Sequence, residues 1–374
     1  MTTYYVTTSG SDSNNGLTEG TAFATPGYAA SQATTAGDLI YIKEGTYTIS
    51  TSSSNVSNGV MSVTSGVNVE GYKTTAGDKA AKPLLTSTVT GTLTNNFMIL
   101  MNNVDRGLGY YAYIDSVEVN GGSSGFSYGI QIGFHQIAAF NCKASNTYYG
   151  VTGKAYFCEA YSCTRGFANA TCYGCYAQGC TDHGFHTCSV TNCIAYNNNN
   201  NAYFNNNFVH GFISHTSTYY GVNFVSNRDY APPYKNLVVI DSGTYGLSGL
   251  VNGQPVFNFA GYNNASGNHQ FSGSWLVNEI TLTADPFTDP ASGDWSLNSD
   301  AGGGELLKSV SQVMPFGTSY NDVSPLQRQV TAASSGGGSS TPTAGTQVYP
   351  FRQFVEADFG SAGGGATLHP LRSN

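Results

Sequence analysis

Four short segments of this chain repeat one another: Asn141-Cys142-Lys143-Ala144, Phe157-Cys158-Glu159-Ala160, Gly174-Cys175-Tyr176-Ala177 and Asn192-Cys193-Ile194-Ala195. Their starts lie 16, 17 and 18 residues apart, and His210-Gly211-Phe212-Ile213 reads as a looser fifth copy 18 residues later. Cys and Ala recur while the positions between them accept Lys, Glu, Tyr, Ile or Phe. That alternation describes a strand with a uniform buried face and a variable outer one. A strand returning this soon leaves no room for a crossover helix, and it predicts the rung of a parallel β-helix.

A second register has the same period. Gly followed by an apolar residue recurs at Gly129-Ile130, Gly150-Val151, Gly166-Phe167, Gly184-Phe185, Gly221-Val222 and Gly246-Leu247, with Ala202-Tyr203-Phe204 at the skipped rung. Gly at such places supplies either a positive φ or a close backbone approach. The Asn runs 197–201 and 205–207 fit corners between rungs, since Asn tolerates the left-handed conformation and ladders between strands. Disorder is the competing reading of an Asn run.

Composition narrows the function. A formal charge of −8 and a pI near 5.2 leave no basic stripe for nucleic acid. No run of 18 apolar residues exists to form a membrane span. Met1-Thr2-Thr3 leads straight into Tyr4-Tyr5-Val6 without a signal core, so the chain is expected to be made and kept in the cytoplasm. All eight Cys fall between Cys142 and Cys193. Columns of Cys142, Cys158, Cys175 and Cys193, of Cys163 and Cys180, and of Cys172 and Cys188 read as stacked buried thiols. Disulfides between rungs, or zinc on Cys172, Cys175 and Cys180, are the alternatives.

The first 50 residues carry a more specific pattern: Tyr4-Tyr5-Val6, Gly10-Ser11-Asp12-Ser13-Asn14-Asn15-Gly16, Thr21-Ala22-Phe23-Ala24-Thr25, then Gly37-Asp38-Leu39-Ile40-Tyr41-Ile42-Lys43-Glu44-Gly45-Thr46-Tyr47. This resembles the opening of the pectin-lyase-like, right-handed parallel β-helix superfamily. The resemblance implies an all-β single-stranded coil whose open end is capped by a first strand and a short helix, placed here at Ala29 to Ala36. It is nearly silent on activity, because that superfamily includes lyases, hydrolases, epimerases and virion proteins.

The expected organisation is a cap over 1–36 and a β-helix body over 37–284 of ten to twelve rungs. An irregular closing segment follows over 285–330, then a Gly/Ser/Thr linker over 331–345 and a docking tail over 346–374. Tyr349, Phe351, Phe354 and Phe359 make that tail too apolar to stay solvated, so it is expected to dock on its own coil or on a partner.

Superfamily lyases, as the resemblance implies, use Lys or Arg as base and carboxylates stacked on adjacent rungs to hold calcium. Between Phe126 and Ile240 the acids are only Glu159, Asp182 and Asp229, and no two stack, so no metal or cofactor is assigned. The best residual catalytic cluster is Arg165, Asp182, His183 and His186, since Arg165 and His183 occupy one corner a rung apart. Asp115 and Glu118, with Asp105 and Arg106, form a second. The outward columns place Tyr176, Ile194 and Phe212 on successive rungs, flanked by Phe157, Tyr161 and Tyr196. Such a stripe predicts a subunit interface, a sugar platform or a surface covered by the chain's own tail.

These features favour a non-enzymatic structural or adhesive component of an assembly, a phage tail spike, fibre or capsid-surface protein. It would be a homo-oligomer, with a trimer favoured, or partner other virion proteins, sit on the virion surface and bind polysaccharide. A polysaccharide lyase or glycoside hydrolase is the alternative.

Overall fold

The computed structural model describes residues 1–49, 61–63, 66–88, 91–101, 112–122, 124–133, 137–204, 208–224, 234–249, 255–270, 276–308, 312–313 and 319–320. Their strands wind into a single 26-stranded sheet in which each strand pairs in parallel with the equivalent strand of the next turn. The coil has three faces. Face A begins with Thr3–Val6, Leu39–Lys43, Asn68–Tyr72, Ala112–Asp115 and Ile137–Phe140. Face B runs through Thr46–Ile49, Leu84–Ser87, Glu118–Asn120, Lys143–Ser145, Glu159–Tyr161 and Tyr176–Gln178. Face C carries Ser124–Ile132, His183–His186 and Tyr203–Phe204. Longer strands such as Arg165–Tyr173 bend from face C into face A, at Asn169 in that case, which has φ 49°.

Left-handed residues set the corners. Between faces A and B they form one column: Ser116, Asn141, Phe157, Gly174, Asn192, Gly211, Asn236, Asn258 and Asn278, all with φ from 48° to 63°. Asn is favoured there because its short amide tolerates that conformation and bonds along the coil axis. Asn141 donates to Ser116 Oγ at 3.0 Å, Asn258 to Asn236 Oδ1 at 2.9 Å and Asn278 to Asn258 Oδ1 at 3.0 Å. The run 197–201 is ordered in the same way. Asn198 is buried and accepts from Cys180 N at 3.0 Å, while Asn201 accepts from Tyr220 N at 3.2 Å. Asn205 to Asn207 lie outside the described residues.

The glycine register serves close approach rather than positive φ. A Cβ on Gly150 would lie 2.4 Å from the Gly166 carbonyl oxygen, and one on Gly166 would lie 2.7 Å from that of Gly184.

The left-handed column corrects one alignment. Gly211 stands opposite Asn192, so Phe212 pairs with Cys193 and Ile213 with Ile194. Phe212 therefore belongs to the inner column Cys142, Cys158, Cys175, Cys193, Phe212, Leu237, Phe259, and it is fully buried. It meets Phe185 edge-on at 5.6 Å and Tyr203 at 5.8 Å. The fifth repeat is thus spaced one residue wider than the sequence period implies.

All eight Cys are free and buried. Burial pushes the thiol of Cys142 well above its ordinary range, as it does for Cys158, Cys172 and Cys180, which makes these thiols inert packing groups. Cys172 lies opposite Val190 rather than Cys188. The Cys172, Cys175 and Cys180 zinc alternative does not assemble, since the one metal-competent group among the described residues lies elsewhere.

The cap helix spans Pro26–Gln32, earlier than expected. Thr25 caps it, Pro26 opens it, and Asp12 accepts from the Ala24 and Thr25 amides at 2.9 and 3.0 Å. At the other end, Phe287–Asp289 and Asp294–Leu297 form an antiparallel pair, followed by the short helix Gly304–Lys308. The linker and the tail with Tyr349, Phe351, Phe354 and Phe359 lie outside the described residues.

Candidate functional site

The structure brings together the cluster that the sequence singled out. On the outer side of face C, Arg165 lies opposite His183 in register, and Ala168 lies opposite His186. Arg165 Nε donates to Asp182 Oδ2 at 2.8 Å, and Asn200 Nδ2 donates to Asp182 Oδ1 at 3.0 Å. His183 Nε2 approaches Asp182 Oδ1 at 3.3 Å. The guanidinium sits over Tyr148 and Tyr149, 5.9 and 5.8 Å from their ring centres. Among the described residues nothing bonds its terminal nitrogens, so the outer end of the guanidinium fork is open. Bidentate recognition of a carboxylate uses that fork.

Two imidazoles complete the group. The His183 ring lies flat on Phe204, 4.7 Å between centroids and 3° between planes, and His186 stacks beside both at 5.2 and 5.3 Å. Burial pushes His183 down to about 4, partly offset by Asp182. Burial also lowers His186, and the nearby Arg165 charge adds to that. Both rings are therefore neutral at pH 7. His186 Nδ1 is 3.1 Å from Thr187 Oγ1, which orients the ring with Nε2 directed away from that contact. Asp182 is held below the usual carboxylate range by Arg165 and Asn200, against the effect of its burial.

The depressed imidazoles make stability depend on pH. His183 binds a proton near 6.5 when unfolded but only near 4 when folded, so the unfolded chain takes up more protons in between. His186 and His210 are shifted the same way by burial. The thermal unfolding midpoint is expected to fall as pH drops from about 6.5 toward about 4. A profile flat across that window would contradict these burial effects.

The second sequence candidate becomes an ion-pair network around the corner from face A to face B. Glu70 and Asp115 stand opposite each other on adjacent rungs, so one stacked carboxylate pair does exist, outside the stretch searched from sequence. Each is already engaged. Lys79 pairs with Asp115, Ser116 Oγ donates to Asp115 Oδ1 at 2.9 Å, and the Tyr113 hydroxyl donates to Glu70. Lys143 reaches Glu118 at 2.9 Å and Lys82 reaches Glu159 at 3.5 Å. Asp105 and Arg106 lie outside the described residues. Calcium needs six or more oxygen ligands. Neither this pair, already taken by Lys79 and Tyr113, nor the lone carboxylate of Asp182 fits it.

The apolar stripe is not an open surface. Ile194 is 6% exposed, and it joins Ile213, Val238, Ala260, Phe287, Trp295, Leu297 and Leu307 in one buried cluster, with Tyr176 and Tyr196 at its edge. Trp295 of the closing segment meets Tyr176 at 6.2 Å and Tyr196 at 5.6 Å. The chain's own 282–308 segment covers the stripe, because face B is charged along its early rungs and apolar along its later ones. Tyr161 stays with the charged half, under Lys143. Phe157 stands in the left-handed column, where it would crowd any Cβ at Gly174.

The sequence missed a third group. His215, Asp241 and Asp285 place one ligand atom each within 4.8 Å of the others. No local motif announces it, since His215 and Asp285 are 70 residues apart.

No protein-family model matches the chain, and no curated protein matches its sequence. Solved structures do match. Pectate lyase Pel9A overlays with a TM-score of 0.64 at 16% identity, covering 88% of this chain and 96% of that one. A rhamnogalacturonan lyase overlays at 0.38 with 14% identity, covering 70% and 73%. The A-module of the Azotobacter vinelandii mannuronan C-5 epimerase AlgE6 overlays at 0.36 with 15% identity, covering 69% and 93%. Taken with the continuous parallel rungs and the strand-and-helix cap, the overlay along nearly the whole chain shows the fold: a right-handed parallel β-helix similar to that of pectate lyase Pel9A.

Proposed function

We propose that this chain cleaves a uronate-containing polysaccharide by β-elimination on the outer side of face C. The observation that carries the reading is the open guanidinium fork of Arg165, anchored from behind by Asp182 and placed beside a neutral His186. Elimination next to a uronate carboxylate requires neutralisation of that carboxylate and a base for the C5 proton. Arg165 supplies the first. His186 Nε2 supplies the second, taking the C5 proton while the electron pair forms the C4–C5 double bond and the C4–O4 bond breaks. The imidazolium then gives its proton to the leaving oxygen or to water. His183 and Phe204 form the stacked wall that holds the His186 ring.

The donor set supports charge neutralisation by Arg165 in place of calcium. The name of pectate lyase Pel9A points to the same substrate class, a polyuronate. Of the features that favour an assembly component, the apolar stripe is occupied by the closing segment, and the tail lies outside the described residues.

The test is the mass of the products from the full chain incubated with polyuronates and with neutral polysaccharides. Unsaturated oligouronides are expected, with neutral polymers left intact. His186→Ala should lower kcat by about 10²–10⁴-fold. The acid limb of kcat/KM should lie below the ordinary His value of 6.5, because His186 is depressed. Products carrying added water would assign hydrolysis instead.

A further inference from the structure

We propose that His215, Asp241 and Asp285 form a divalent transition-metal site that clasps the closing segment to the last rungs of the coil. The three come from different places: His215 from the strand Val209–Ser217, Asp241 from the end of Tyr234–Ser242, and Asp285 from the closing segment. His215 is 6% exposed, walled by Tyr196, Phe287 and Trp295 at 5.6, 6.3 and 5.9 Å.

Each ligand is held by a further contact, that of Asp285 being the Phe287 amide, which donates to its Oδ1 at 2.9 Å. In the metal-free chain Nε2–H of His215 donates to Asp285, and the Thr216 hydroxyl, 2.8 Å away, donates to Nδ1. An ion would displace the Nε2 proton, and the tautomer with the proton on Nδ1, facing Thr216 Oγ1, turns the Nε2 lone pair to the site. Asn263 Nδ2 donates to Asp241 Oδ1 at 2.7 Å, fixing that carboxylate. His215 Nε2 already lies 2.8 Å from Asp285 Oδ2. Among the described residues no Lys or Arg pairs with Asp241 or Asp285, so a proton on His215 is all that balances two carboxylates meeting beside an aromatic wall. A divalent ion supplies that charge.

The imidazole nitrogen selects a borderline ion such as zinc or iron(II) over calcium or magnesium. Ligand atoms about 2.0–2.2 Å from zinc lie roughly 3.3–3.6 Å apart in a tetrahedron, so ligand atoms separated by up to 4.8 Å must draw in. Asp285 is only partly buried, and its Oδ2 can turn toward the ion while Oδ1 keeps the Phe287 amide. Because Asp285 leads directly into Phe287 and Trp295, the ion would tie down the segment that covers the apolar stripe.

The experiment uses the full chain, stripped with a chelator and titrated with zinc chloride by calorimetry, with thermal unfolding followed in parallel. One ion per chain and a midpoint raised by zinc and lowered again by chelator are expected. Asp241→Asn should abolish saturable binding while leaving the metal-free midpoint near that of the wild type, since the His215–Asp285 bond persists. Asn263→Ala should weaken binding by about 10–100-fold. Absence of saturable binding, or undiminished binding by Asp241→Asn, would leave only a His–Asp bond and overturn the proposal.

Discussion

Phe212→Asp is expected to prevent folding of the isolated chain. Truncating a buried Phe costs ~3–5 kcal/mol, and an unpaired carboxylate left inside adds several more, against a typical total of about 5–15 kcal/mol. Phe212 sits in the inner column between Cys193 and Leu237, against Phe185 and Tyr203, whose hydroxyl already donates to the Cys188 carbonyl at 2.7 Å. Tyr173→Asp is the control on the outside of the coil, where Tyr173 is 40% exposed and stacks on Tyr156 at 5.1 Å, so a loss of only about 0.5–1.5 kcal/mol is expected. Denaturant unfolding of the soluble fractions reads both. A folded Phe212→Asp chain of near wild-type stability would mean that Phe212 faces outward and that the rung register is wrong.

Arg165→Leu is expected to reduce kcat/KM on an unesterified polyuronate by about 10²–10³-fold, the size seen when one preorganised charge-stabilising donor is removed. The side chain carries a second signature. Its proposed partner is the substrate carboxylate, so the variant should also lose any preference for unesterified over methyl-esterified polymer. Arg165→Lys should recover only part of the rate, because an ammonium lacks the planar fork and keeps less of the contact with Tyr148 and Tyr149. Since Asp182 would lose its Nε–H partner, thermal unfolding must accompany the kinetics. A variant that melts earlier but retains the rate and the ester preference would make Arg165 a structural residue.

How much of this was legible beforehand depended on periodicity. The Cys, Ala and Gly columns recur every 16 to 18 residues, so the coil and the meeting of Arg165 with Asp182 and His183 could be read from spacing alone. The register slipped at His210-Gly211 because Cys was used as the phase marker. The true marker is the left-handed corner, which Asn and Gly fill interchangeably, so Gly211 answers Asn192 rather than Cys193. The stacked Glu70 and Asp115 were hidden by an insertion between their rungs that breaks the period. The covering of Tyr176 and Ile194 by Trp295 left no periodic trace, because the closing segment is used once and packs on rungs about a hundred residues earlier.

The most direct test is ultraviolet absorbance at the unsaturated uronate band, followed while the chain acts on a panel of polyuronates in excess chelator. Steady growth of that absorbance is expected on at least one polyuronate, undiminished by the chelator and lost in His186→Ala. No absorbance on any polyuronate, or absorbance that requires added calcium, would contradict elimination carried by Arg165 and His186.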